Sequence, residues 1–132
     1  MIEIKIQSEG FNSSYDITEL VEKALTKLEK PNGIAKICVV GSTVGLTVMR
    51  YEPGAINDLL DSLEMVAPRK KEYEHFRTTL DPNGFAHIRS SLLGTSVMVP
   101  YKEWLFTFPD THRIVLFDFD LQASTRTIYV DV

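Results

Sequence analysis

The C-terminal part of the chain constrains the fold most, because its runs are those of a sheet. "SSLLGTSVMVP", "WLFTF", "RIVLFDFD" and "RTIYVDV" follow one another as strand-like segments parted by turns. Within residues 113–120, Val115, Phe117 and Phe119 fall on one face of an extended segment, with Leu116 and Asp118 on the other. The N-terminus shares this period. Ile2, Ile4 and Ile6 lie on one face, Glu3 and Lys5 on the other. "IAKICVVG" reads as a central strand ending at Gly41, and "GLTVMRY" as a short β-branched one.

Two stretches have helical spacing instead. Asp16 can cap a helix, Glu19 stands at capping-box spacing, and Leu20, Val21, Ala24, Leu25 and Leu28 form an apolar stripe. Lys30, Pro31, Asn32 and Gly33 end it. A second helix follows Pro53, with Ile56, Leu59, Leu60 and Leu63 facing the core and Pro68 beyond its end. "PRKKEYEHFRTTLDPNG" reads as a long, charged connection. Together these predict a single α+β domain over residues 1–132, a mostly antiparallel sheet covered on one face by two helices. The uncovered face is expected to lie against neighbouring subunits.

A chain of 132 residues suits one hydrophobic core. Its net charge is -4 and its basic residues are not massed, so no nucleic-acid footprint is expected. A local pocket can still take a phosphorylated substrate. The charged, alternating N-terminus is no signal peptide and no run reaches membrane-spanning length, so no membrane partner and a cytoplasmic location are expected. The lone cysteine, Cys38, cannot form an intrachain disulfide and is predicted to be a small buried thiol.

Three histidines, His75, His87 and His112, are the chemical candidates. They form no compact zinc motif, and Cys38 has no thiol partner for a structural zinc site. Brought together by the fold they can bind a transition metal; apart, they are ordinary polar residues. Arg89 lies two residues after His87, so an extended segment would put both on one face, where they suit a phosphate or carboxylate. "GSTVG" places Ser42 and Thr43 between glycines, as donors to an anion or simply as a tight turn, but lacks the lysine of a P-loop. Asp58 edges the second helix, as a site carboxylate or a solvated one. Neither Ser90 nor Ser91 lies in a nucleophile elbow.

Through "YDITELVEKAL", "EPGAINDLLDSLEMVAP" and above all "YEH" followed by "NGFAHIRSSLLGTSVMVP", the chain resembles the YjbQ-like family. Tyr73, His75, Asn83, Ala86, His87, Leu92, Leu93, Gly94, Ser96 and Pro100 stand where that pattern wants them. Some members are linked to a secondary thiamine-phosphate synthase activity. The resemblance implies a homotrimer with histidines gathered around a metal or anion site, zinc or a similar divalent ion being expected. His75 and His87 inherit catalytic and metal-binding roles, and Asp58 a lesser catalytic one.

Two departures qualify this. The family has His-Thr-Thr or His-Thr-Ser where this chain has Gly41, Ser42 and Thr43, so its first histidine is missing. Its Gly-Thr-Trp-Gln becomes Pro109, Asp110, Thr111 and His112. One expectation is that His112 restores the metal ligand count. The other is that no cofactor is bound and Ser42, Thr43 and Arg89 hold an anion. Function divides accordingly: an enzyme joining a pyrimidine diphosphate to a thiazole phosphate with pyrophosphate release, or a noncatalytic homotrimer binding a small phosphorylated metabolite or divalent metal. A third reading is a purely structural trimer.

Overall fold

The computed structural model describes residues 1–132. Eight strands and four helices follow in the order β1 (Ile2–Ser8), β2 (Ser13–Asp16), α1 (Thr18–Lys27), β3 (Asn32–Val39), β4 (Val44–Arg50), α2 (Pro53–Val66), α3 (Glu74–Thr79), α4 (Gly84–Leu93), β5 (Ser96–Lys102), β6 (Leu105–Phe106), β7 (His112–Asp118) and β8 (Ser124–Asp131). The fold is α+β, as expected, with every strand pair antiparallel. The strands divide into two sheets, one in the order β1-β8-β3-β5-β6 and the other β2-β7-β4.

Strand β7 explains the layering. Ile114 and Leu116 join Ala35, Ile37, Val39, Ile128 and Val130 of the larger sheet and Val21 and Leu25 of α1 in one core. Val115, Phe117 and Phe119 point the opposite way, to Leu63 of α2 and Phe85 and Ala86 of α4. Strand β7, at the centre of the smaller sheet, is therefore buried on both faces. The two predicted helices are present as α1 and α2. Glu52 caps α2, its carboxylate accepting the Gly54 and Ala55 amides. Asp16 accepts the Thr18 amide at 3.0 Å, but Glu19 does not complete a capping box: it turns toward Arg113.

Three differences from the sequence reading matter. The charged connection contains α3, and the segment from Gly84 to Leu93 is helical, although its apolar end patterns as the beginning of a strand. Cys38 is exposed rather than buried. In β3 the residues alternate strictly, Ala35, Ile37 and Val39 facing in and Ile34, Lys36 and Cys38 facing out, with Val40 exposed just beyond the strand. No helix covers that outer face; Ile34, Val40 and Met98 are 51%, 56% and 70% exposed. No helix is long and apolar enough to cross a membrane.

Candidate functional site: a histidine pair at the β3–β4 turn

Helices α3 and α4 form a short hairpin. Leu80 ends α3 in the left-handed conformation, and Asp81 turns its carboxylate onto the Asn83 amide. The helices meet closely at Gly84, where an added Cβ would stand 2.8 Å from Cβ of Tyr73 and 3.4 Å from Cβ of His75. Even a methyl group there would push α3 away. Tyr73 is fixed from the other side by donating its hydroxyl to the Pro68 carbonyl at 2.6 Å, and burial pushes its phenol above the usual value.

This approach brings together two of the three histidines. The Nε2 atoms of His75 and His87 are 3.2 Å apart, with the rings edge to face. Nδ1 of His87 lies 2.9 Å from the Ser42 carbonyl oxygen. A carbonyl only accepts, so Nδ1 carries a proton, and in the neutral form of the ring it is the lone pair of Nε2 that faces His75. His75 Nε2 also faces Oδ1 of Asn83 at 3.1 Å and Oγ1 of Thr79 at 3.4 Å. Asn83 is the N-cap of α4, yet its side chain makes no capping bond. Next to His87, a shallow depression is lined by Gly41, Ser42, Ser90, Ser91, Gly94 and Thr95, without one apolar side chain.

The other candidates lie elsewhere. Arg89 does not share a face with His87, because residues two apart on a helix point roughly 200° apart. It is fully buried, donating Nε to the Ala67 carbonyl at 3.1 Å and Nη1 to Asn12 at 3.3 Å, and pairing Nη2 with the Glu64 carboxylate. Its guanidinium ties α4 to the end of α2 and holds no anion beside the histidines. His112 opens β7 opposite Arg50, while Ser42 adjoins the other end of the same ladder, where Val44 faces Asp118. Six residues of strand separate the two ends, roughly 20 Å. Within one chain His112 cannot join the pair, and no cluster of three His, Cys, Asp or Glu side chains is present. Asp58 is exposed on α2, its backbone carbonyl accepting from Ser62. Ser42 reaches the site by its carbonyl. Thr43 is buried, its hydroxyl between Asp120 and Arg126, each at 3.3 Å.

Residue-by-residue reading missed a buried network behind the turn. Arg126 grips Asp118 with two bonds, Nε to Oδ2 at 2.7 Å and Nη2 to Oδ1 at 3.0 Å. The sequence carries its signal. Asp118 repeats at the inward spacing of Ile114 and Leu116, and Arg126 at that of Ile128 and Val130. Opposite charges on two inward faces require each other.

The donor set fits a divalent ion in part. Two ligands about 2.05 Å from a tetrahedral metal stand about 3.3 Å apart, close to the Nε2 separation seen here. The carbonyl behind His87 is the outer partner that a metal-binding imidazole requires. The third protein ligand of a usual zinc site is missing. At position 41 φ is +152°, and Val44 Cγ2 stands 2.9 Å from where a Cβ would be, so a side chain there would strain the backbone and displace Val44. Asn83 and Thr79 offer only neutral oxygens.

Comparisons agree with this architecture. Residues 2–132 match the family described as "UPF0047 protein YjbQ-like". A UPF0047 protein of Archaeoglobus fulgidus is 33% identical over 113 residues, 86% of each chain. One of Methanocaldococcus jannaschii is 29% identical, covering 89% of this chain and 82% of its own. Among solved structures, an uncharacterised YjbQ/UPF0047 protein of Clostridium acetobutylicum superposes with a TM-score of 0.88 at 26% identity, covering 99% and 98% of the two chains. A conserved hypothetical protein of Thermus thermophilus gives 0.87 at 25% identity, covering 100% and 99%. With the fold and nearly the full sequence in agreement, the chain belongs to the YjbQ-like UPF0047 family.

Proposed function

We propose that this protein binds a divalent metal ion between His75 and His87 and uses the site to hold a small phosphorylated metabolite. The convergence of the two Nε2 atoms to 3.2 Å carries this reading. His87 is ready to ligate with its proton held on Nδ1; His75 must move its own proton from Nε2 to Nδ1. Positions left open on the metal would accept phosphate oxygens, and the ion would supply Lewis-acid neutralisation of their charge. Ser42, Ser91 and Thr95 line the adjoining depression and supply hydroxyl donors of the kind a phosphate ester uses. The synthase reading would rest on the same site. Pyrophosphate departure needs positive charge, and with Arg89 buried against Glu64 that charge would have to come from the metal.

The assembly proposed is a homotrimer. Ile34, Val40 and Met98, all exposed on the outer face of the larger sheet, support burial of that face by a second copy.

Element-resolved metal analysis of the purified protein, beside a His75→Ala/His87→Ala variant, tests the site. A stoichiometric metal lost in the variant is the expected result. A folded protein that takes up no zinc or cobalt after reloading would overturn the metal reading. Pyrophosphate release by the metal-loaded protein separates synthase from binding protein, and sedimentation of Met98→Glu tests the assembly.

A further inference from the structure

The geometry points to the buried Arg126–Asp118 pair as the positioning device of the histidine site: it sets the Ser42 carbonyl that fixes the tautomer of His87. The inference rests on the reading of His75 and His87 as the site and adds two positioning residues to it.

Covalent and hydrogen-bonded links connect the buried pair to the imidazole. Asp118 is fully buried and receives, besides Arg126, the hydroxyl of Ser8 at 2.5 Å. The same Arg126 Nη2 that bonds Asp118 also reaches Thr43 Oγ1 and Asp120 Oδ2, both at 3.3 Å. Thr43 donates to Asp120 in turn, at 3.3 Å. Its carbonyl accepts the Phe119 amide at 2.9 Å. Thr43 is thus held by both side chain and backbone. The amide of Thr43 and the carbonyl of Ser42 belong to one planar peptide unit. Holding Thr43 therefore aims the Ser42 carbonyl, and that carbonyl meets His87 Nδ1 at 2.9 Å.

Arg126 suits this task because its fork spans three oxygen-bearing side chains in fixed directions. Burial alone would lower its pKa, but hydrogen bonds and charge from Asp118 and Asp120 outweigh that and raise it. The guanidinium stays charged and rigid. Without it, Thr43 keeps the Phe119 bond to its carbonyl but loses the side-chain half of the restraint on its peptide plane. His87 is then free to carry its proton on Nε2, the atom that must face a ligand unprotonated.

Two variants isolate the effect. Thr43→Val keeps the shape of a buried side chain and removes only the hydroxyl link. Arg126→Lys keeps the charge and removes the fork. Nitrogen-15 NMR of the imidazoles in the metal-free protein reads the tautomer directly. We expect a predominant Nδ1–H form of His87 in the parent protein and a clear gain of the Nε2–H form in both variants. Cobalt affinity, read from its visible absorption, should fall about 10- to 100-fold, as for loss of an outer partner of a metal-binding histidine. Leu25→Ala, a remote core truncation, serves as the control for lowered stability and should leave the tautomer unchanged. Folded Thr43→Val and Arg126→Lys proteins that keep His87 in its Nδ1–H form would overturn the inference. The same holds if Leu25→Ala shifts the tautomer equally. The tautomer decides the positioning role alone. A parent protein that shows the expected tautomer shifts but binds no cobalt defeats the metal reading and leaves the positioning intact.

Discussion

The two ends of the β4–β7 ladder carry similar residue types in opposite circumstances. At the Val44↔Asp118 end, an aspartate and an arginine are paired between the sheets, and their network reaches the turn that touches His87. At the Arg50↔His112 end, Arg113 pairs with Asp16, each side chain more than a quarter exposed, and the His112 ring hydrogen-bonds only the neighbouring Thr111 hydroxyl. The difference teaches where a histidine becomes chemically defined. Ring orientation needs a fixed partner, and a fixed partner needs a backbone braced from within. Exposed charge provides no such bracing.

Three substitutions sharpen the contrast. Asp118→Asn should be the most damaging, costing about 3 kcal/mol, because the nearly buried Arg126 loses its two-bond partner and keeps only the partly exposed Asp120 at 3.3 Å. Urea denaturation measures this, and a loss below about 1 kcal/mol would show that the two ends are braced alike. Asp16→Asn should cost only about 1 kcal/mol, and with a distinct pH dependence. Burial pulls the Asp16 carboxyl upward, but hydrogen bonds from Thr18 and the Arg113 guanidinium outweigh it and hold it below the usual 3.8. Its stabilisation is therefore whole above that value and disappears as pH falls through the lower folded one. The stability gap between parent and Asp16→Asn should close on acidification. His112→Ala should change stability by less than about 0.5 kcal/mol and leave cobalt binding intact. Loss of cobalt there would show that a neighbouring copy delivers His112 to the pair.

Sequence made the strands legible because a period of two survives in short segments. The same rule failed for α4. Its inward positions, Phe85, Ala86, Arg89, Ser90 and Leu93, do follow helical spacing, but an arginine and a serine among them hide the stripe. Leu92 and Leu93 pattern with the following strand, and in an extended segment Arg89 would share the face of His87, from which the helix turns it away. His75 and His87 stood out through the family pattern, whereas their contact depends on Gly84 and on two helices folding back, which no local period records. Asp118 and Arg126 were visible as charges at apolar positions, though their pairing required knowing that β7 and β8 lie in facing sheets.

Asn83 sets the proposed site against helix stability within a single amide. A helix of ten residues begins there without the side-chain bond that an asparagine ordinarily supplies, a contribution of about 1 kcal/mol, because the amide oxygen is turned to His75. Removing the His75 ring would release Asn83 to cap α4. A variant crippled at the site can therefore exchange the amides of its first α4 turn more slowly than the parent. Stability would then be a misleading guide to which residues this protein needs.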